Sequence, residues 1–185
     1  MLKDLKIGLN NHLRDNLLMY ALGLFLLVVG VGLGTLAVNL LTLEEVVELT
    51  QYLSAFIGAI DEIELGYFLV FKESVVGNLK ILGFIWFLGL TVLGVPLILL
   101  LLLSRGFMLG FTAGFLIQEQ GLHGIILSLA ALVLPNILIL PTLLMASVMG
   151  IGFSTWLVKG RLRTPQLGFG RQFMSYSIYM LIFSL

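Results

Sequence analysis

A chain of 185 residues that is 59% hydrophobic and only 11% charged, with a mean hydropathy of +1.12, could not cover a soluble core with polar side chains. It reads as a polytopic membrane protein, and with no cysteine and only His12 and His123 it offers neither a disulfide framework nor a thiolate or histidine metal cluster. The formal net charge of zero hides a segregation: residues 42–80 carry seven acids against Lys72 and Lys80, whereas 159–171 carry Lys159, Arg161, Arg163 and Arg171 and no acid.

Residues 1–16 are polar and mildly basic, and are expected on the cytoplasmic side as a short helix on the inner membrane face. Residues 17–41 contain no charge and are long enough to cross a core of roughly 30 Å, so they form the first spanning helix. Gly30 and Gly34 give this helix a small-xxx-small face. Thr42-Leu-Glu-Glu45 then reads as a capping box, with Leu41 and Val46 placed as its hydrophobic staple. The helix it opens is amphipathic: Leu43, Val46, Val47, Leu49, Tyr52, Leu53, Phe56, Ile57, Ile60 and Ile63 fall on an apolar stripe, and Glu44, Glu45, Glu48, Gln51, Asp61, Glu62 and Glu64 fall mostly elsewhere. A helix lying on bare lipid carries Lys and Arg on its polar face. This acidic one suits a protein surface, either a partner's or the outer ends of its own bundle. Glu44, Glu45, Glu48, Phe56, Ile57 and Ile60 are the candidate partner interface.

The run 79–103 is the expected second span, kinked at Pro96 because proline removes one backbone bond, with Ser104-Arg105 as a short connection after it. Gly106, Gly110 and Gly114 follow at every fourth position and line one side of a helix. An interior glycine costs about 1 kcal/mol relative to alanine, so three on one face point to close backbone packing against another helix, with the Gly30 and Gly34 face as candidate partner.

Between 106 and 158 hydropathy leaves two parses. Either 118–123 is a loop between a short third span and an over-long fourth, or the third span continues in pieces. The second is preferred, with broken or re-entrant helices in 106–142 interrupted at Pro135-Asn136 and a fourth span ending near Trp156. Glu119 and Asn136 are the polar residues of this region to watch; an acid in a long apolar stretch is a functional candidate, although a carboxylate in an outer loop is the plainer reading. Glu119 and His123 lie four apart but supply neither a nucleophile nor enough ligands for a metal. No phosphate-binding loop, zinc-protease, nucleophile-elbow or dinucleotide motif occurs, so no enzyme activity, catalytic residue, metal or cofactor is expected.

The basic 159–171 segment is expected to be a cytoplasmic loop, on the same side as the N-terminus and Arg105, and reads as a topology signal rather than a nucleic-acid site. An even number of crossings then places 42–78 outside. A fifth apolar run begins at 173, and its roughly 13 residues, about 20 Å of helix, imply a longer native tail. The fold class is thus all-α: one integral membrane domain over 1–185, a bundle of about five transmembrane helices with one acidic extracytoplasmic amphipathic helix. The sequence neither requires nor excludes a homo-oligomer.

The order Phe71-Lys-Glu-Ser-Val-Val-Gly-Asn78, Gly89, Gly94-Val-Pro96, Ser104-Arg-Gly106 with Gly110 and Gly114, Leu134-Pro135-Asn136 and Pro141 resembles the stage II sporulation protein M family of bacterial membrane proteins. The likeness rests chiefly on 71–150, and its motifs specify a fold rather than reactive groups. The resemblance implies a septal membrane protein acting on the mother-cell side in engulfment of the forespore. It also implies a non-catalytic scaffold that works with two cell-wall hydrolases, stage II sporulation proteins D and P, and holds protein P at the septum. The alternative is a transport or permease-type subunit, suggested by the broken helix around Pro135 and Pro141.

Overall fold

The computed structural model describes residues 14, 16–62, 67–91, 93–163 and 177, and among these the chain is all-helical. Six α-helices follow in order: α1 Leu17–Val38, α2 Leu43–Glu62, α3 Tyr67–Gly89, α4 Gly94–Gln120, α5 Leu122–Ser128 and α6 Leu134–Arg163. A π-helical turn over Leu129–Val133 joins α5 to α6. Among the described residues three helices are long and apolar enough to cross a membrane: α1, α4 and the Leu134–Val158 part of α6. The apolar part of α3, Val75–Gly89, is shorter. The inner-face helix expected over 1–16 and the fifth run from 173 lie outside the described residues, except for positions 14, 16 and 177.

The expected second span over 79–103 is not one helix. Its first part closes α3 and its second part opens α4, across a tight turn marked by Leu90, Thr91 and Leu93. Thr91 explains the stop, because its hydroxyl donates to the Leu88 carbonyl at 2.8 Å and satisfies a helix-end acceptor. Gly94 explains the sharpness, since a Cβ there would overlap the Leu88 carbonyl oxygen. Pro96 is consequently the third residue of α4, where a missing N–H costs nothing, so it starts a helix instead of kinking one. Ser104 and Arg105 are likewise mid-helix, not a connection, and α4 runs unbroken for 27 residues through the glycine face.

The break after α4 falls at Gly121, whose φ of 56° lies in the left-handed region that glycine tolerates. Beyond it the chain stays helical to Arg163, so Lys159, Arg161 and Arg163 belong to the end of α6 rather than to a loop. Pro135 disturbs this stretch without breaking it. Having no N–H to offer, it cannot complete the ordinary ladder, and just before it the register slips to a π turn in which the Leu134 N–H donates to the Leu129 carbonyl.

The helix directions follow from the contacts. Gly30 faces Leu103 to Phe107, Gly34 faces Phe107 to Phe111, and Thr35 and Val38 face Gly114, so α1 and α4 run parallel. α6 runs antiparallel to them, with Gly150 against Ile98 and Ile85, and Ser154 donating to the Thr91 carbonyl at 2.7 Å. α3 is also antiparallel to α4, as Asn78 meets Arg105 while Leu88 meets Gly94. The buried core, with Ile85, Ile98, Leu102 and Ala146 at its centre, lies where α1, α3, α4 and α6 converge. Outward-facing Phe25, Leu36, Phe84, Leu100 and Leu138 remain exposed, as a lipid-facing surface requires. The bundle therefore has a basic end, holding Arg14, the turn between α3 and α4 and the end of α6, and an acidic end, holding α2 and Glu119.

Candidate functional site

Two features carry the residues singled out from the sequence: a glycine seam between α1 and α4, and the acidic helix α2 above it. α1 and α4 form the most extensive helix pair of the bundle. A Cβ at Gly30 would overlap the Leu103 carbonyl oxygen, at Gly34 that of Phe107, at Gly106 that of Leu27 and at Gly110 that of Val31. Gly114 closes the seam more loosely, its notional Cβ lying 3.2 Å from Val38 Cγ2 and 3.3 Å from Thr35 Cα. With no side chains between them, the two backbones meet directly, and Thr35 Oγ1 donates across the seam to the Gly110 carbonyl at 3.2 Å.

The loop of a few residues after α1 turns the chain into α2, and the capping box closes there. Thr42 donates to Glu45 Oε2 from its backbone N–H and from its hydroxyl, both at 2.8 Å, while the Glu45 N–H returns a long bond of 3.4 Å to Thr42 Oγ1. These bonds, the backbone one first, lower the Glu45 pKa below its ordinary value. A depressed carboxyl stabilises the fold fully above its unfolded pKa and loses that contribution as pH falls through the folded value. Thr42→Ala is accordingly expected to speed hydrogen exchange at the Glu45 amide about fivefold near neutral pH, with the difference shrinking on acidification.

Beyond its cap α2 has little support. No other helix packs extensively against it among the described residues; Thr50 Oγ1 reaches Glu119 Oε2 only at 3.5 Å. Val46, Leu49 and Leu53 are half-buried, and Leu43 and Val47 are 86% and 56% exposed. Leu43, Glu44, Val47, Glu48 and Gln51 line one shallow concavity on the free side of the helix. Glu44 and Glu48 therefore share a surface with two exposed apolar side chains, whereas Glu45 is committed to the cap. Phe56, Ile57 and Ile60 occupy the register of Leu49 and Leu53, and their side chains lie outside the described residues.

Glu119 is exposed at the last turn of α4. Gly121 separates it from His123, so the two do not share one continuous helical face. Asn136 serves the backbone, its Nδ2 donating to the Leu132 carbonyl at 2.7 Å within the widened turn. Among the described residues no group of three His, Asp or Glu side chains is placed to hold a metal ion. The residue that hydropathy misplaces is Arg105, half-buried near the middle of α4. A signal for it exists in the chain, since apolar runs flank it on both sides and Pro96 sits where a helix begins.

Compared with known proteins, residues 10–185 match the family model described as stage II sporulation protein M. No curated protein and no solved structure matches the chain.

Proposed function

This chain belongs to the stage II sporulation protein M family, a sporulation-related membrane protein, and from that premise we propose that it is a non-catalytic anchor holding cell-wall hydrolases at the septal membrane for engulfment. Stage II sporulation proteins P and D are the proposed partners, and the mother-cell side of the septum is the proposed location. The observation that carries this reading is α2: an acidic helix at one end of the bundle, capped and formed, yet hardly packed on the helices below it. A free face of Glu44, Glu48, Leu43 and Val47 complements a basic, partly apolar patch on a partner.

This role requires α2 to be extracytoplasmic. The charge asymmetry supports that orientation, because Arg14 and the Lys159, Arg161 and Arg163 cluster share the end opposite Glu44, Glu45 and Glu48. A single cysteine at position 48 is expected to react with a membrane-impermeant reagent in intact cells, and one at position 161 only after lysis. The reverse pattern would put α2 in the cytoplasm and remove it from any wall enzyme. A transport role draws support from the π turn and Pro141 in the helical stretch that runs to Arg163. Substrate flux in liposomes containing the purified protein would favour that reading over an anchor.

A further inference from the structure

Arg105 is a cation at a depth where side chains rarely carry charge. It lies about 17 Å from the start of α4 at Gly94 and about 22 Å from its end at Gln120, too far for the guanidinium to reach water at either interface. Its Nη2 donates to Asn78 Oδ1 on α3 at a long 3.4 Å, and its Nε, shielded from solvent, has no hydrogen-bond partner among the described residues. A guanidinium offers five donors. In hydrocarbon only protein can satisfy them, and one long bond leaves most of that capacity unused.

The charge balance at this level points the same way. The Asn78 contact sets the depth of α3, so Lys80 lies about 3 Å from that level and Lys72 about 9 Å along the axis, both exposed. Against these three cations stands Glu73 alone. Every other acid of the chain lies before α1, between 44 and 64, or at Glu119. Around the Arg105 level the described helices thus carry three cations against one acid.

We propose that Arg105, held by Asn78, is an intramembrane receptor for a carboxylate on a transmembrane helix of another protein. A carboxylate takes the guanidinium fork with two parallel charge-assisted bonds, and at low dielectric such a pair outcompetes neutral donors and acceptors. Exposed Lys72 and Lys80 on α3 extend the attraction along the incoming helix. This contact is separate from the outer face of α2 and does not depend on it.

The test uses the full chain in nanodiscs with a dye-labelled leucine-alanine transmembrane peptide carrying one central Glu, or Gln as control. Association is read by energy transfer at about pH 8, so that the carboxyl is ionised as far as burial allows. The Glu peptide is expected to bind about tenfold more tightly than the Gln peptide. Arg105→Gln should remove that preference, and Arg105→Lys, which keeps the charge, should retain part of it. Equal binding of the two peptides overturns the proposal, as does an unchanged preference in Arg105→Gln. If a preference emerges only after Glu73→Gln, the chain's own Glu73 occupies the guanidinium and the proposal is overturned as well.

Discussion

Gly110→Leu is expected to lower the thermal unfolding temperature of the purified protein in detergent sharply while leaving membrane insertion intact. At this position even a methyl group overlaps the Val31 carbonyl oxygen, and backbone cannot step aside as a flexible side chain can. Relief requires opening the seam from Gly30 to Gly114, with loss of the Thr35 hydroxyl bond to Gly110. Overpacking typically costs 1–3 kcal/mol, and a leucine against backbone belongs at the upper end, about 3 kcal/mol. Insertion is spared because leucine is as welcome in lipid as any side chain. Gly32→Ala supplies the contrast: nothing lies within 4 Å of its notional Cβ, so this variant should be neutral or slightly stabilising. An unchanged midpoint for Gly110→Leu, or equal damage from both variants, would contradict the seam.

What the sequence disclosed and what it withheld have separate physical reasons. The seam was legible because glycine at every fourth position has few uses on a membrane helix other than close approach, and the cap was legible because Thr42 and Glu45 bond locally. The helix boundaries between 79 and 121 were not. Hydropathy cannot distinguish the turn marked by Leu90, Thr91 and Leu93 from the apolar helices around it, since this stretch of the sequence is itself apolar. That ambiguity made Pro96 read as a kink, and it moved Arg105 from mid-helix to a cytoplasmic connection. Pro135 was legible as a disturbance but not as a π turn, because whether a helix stops or slips by one residue depends on what packs around it. On α2, charge and periodicity marked Glu44, Glu45 and Glu48 alike, and they put Leu43 and Val47 on the apolar stripe; only the fold separates Glu45, engaged in the cap, from Glu44 and Glu48 beside exposed Leu43 and Val47.

Val47→Asp is expected to abolish retention of protein P at the septum while the variant itself stays folded in the membrane. Val47 is exposed beside Leu43, so an aspartate there leaves the bundle undisturbed but puts a desolvated charge into any apolar contact made on that face. Loss of an interface centre of this kind costs about 2 kcal/mol or more, roughly thirtyfold in affinity. Changing Glu44 and Glu48 together to Lys should weaken retention in a salt-dependent way, since rim charges act chiefly on encounter rate. Glu45 is left in place because its replacement would also damage the cap. If Val47→Asp lowers the unfolding temperature as Gly110→Leu does, that face packs on its own bundle and the docking reading fails.

The most direct test of the anchoring role is a photo-reactive residue at position 47, activated in sporulating cells at the time of engulfment. The account predicts an adduct between this chain and stage II sporulation protein P, lost when Glu44 and Glu48 are both changed to Lys. Adducts confined to lipid or to the chain itself, with protein P still held at the septum, would contradict it.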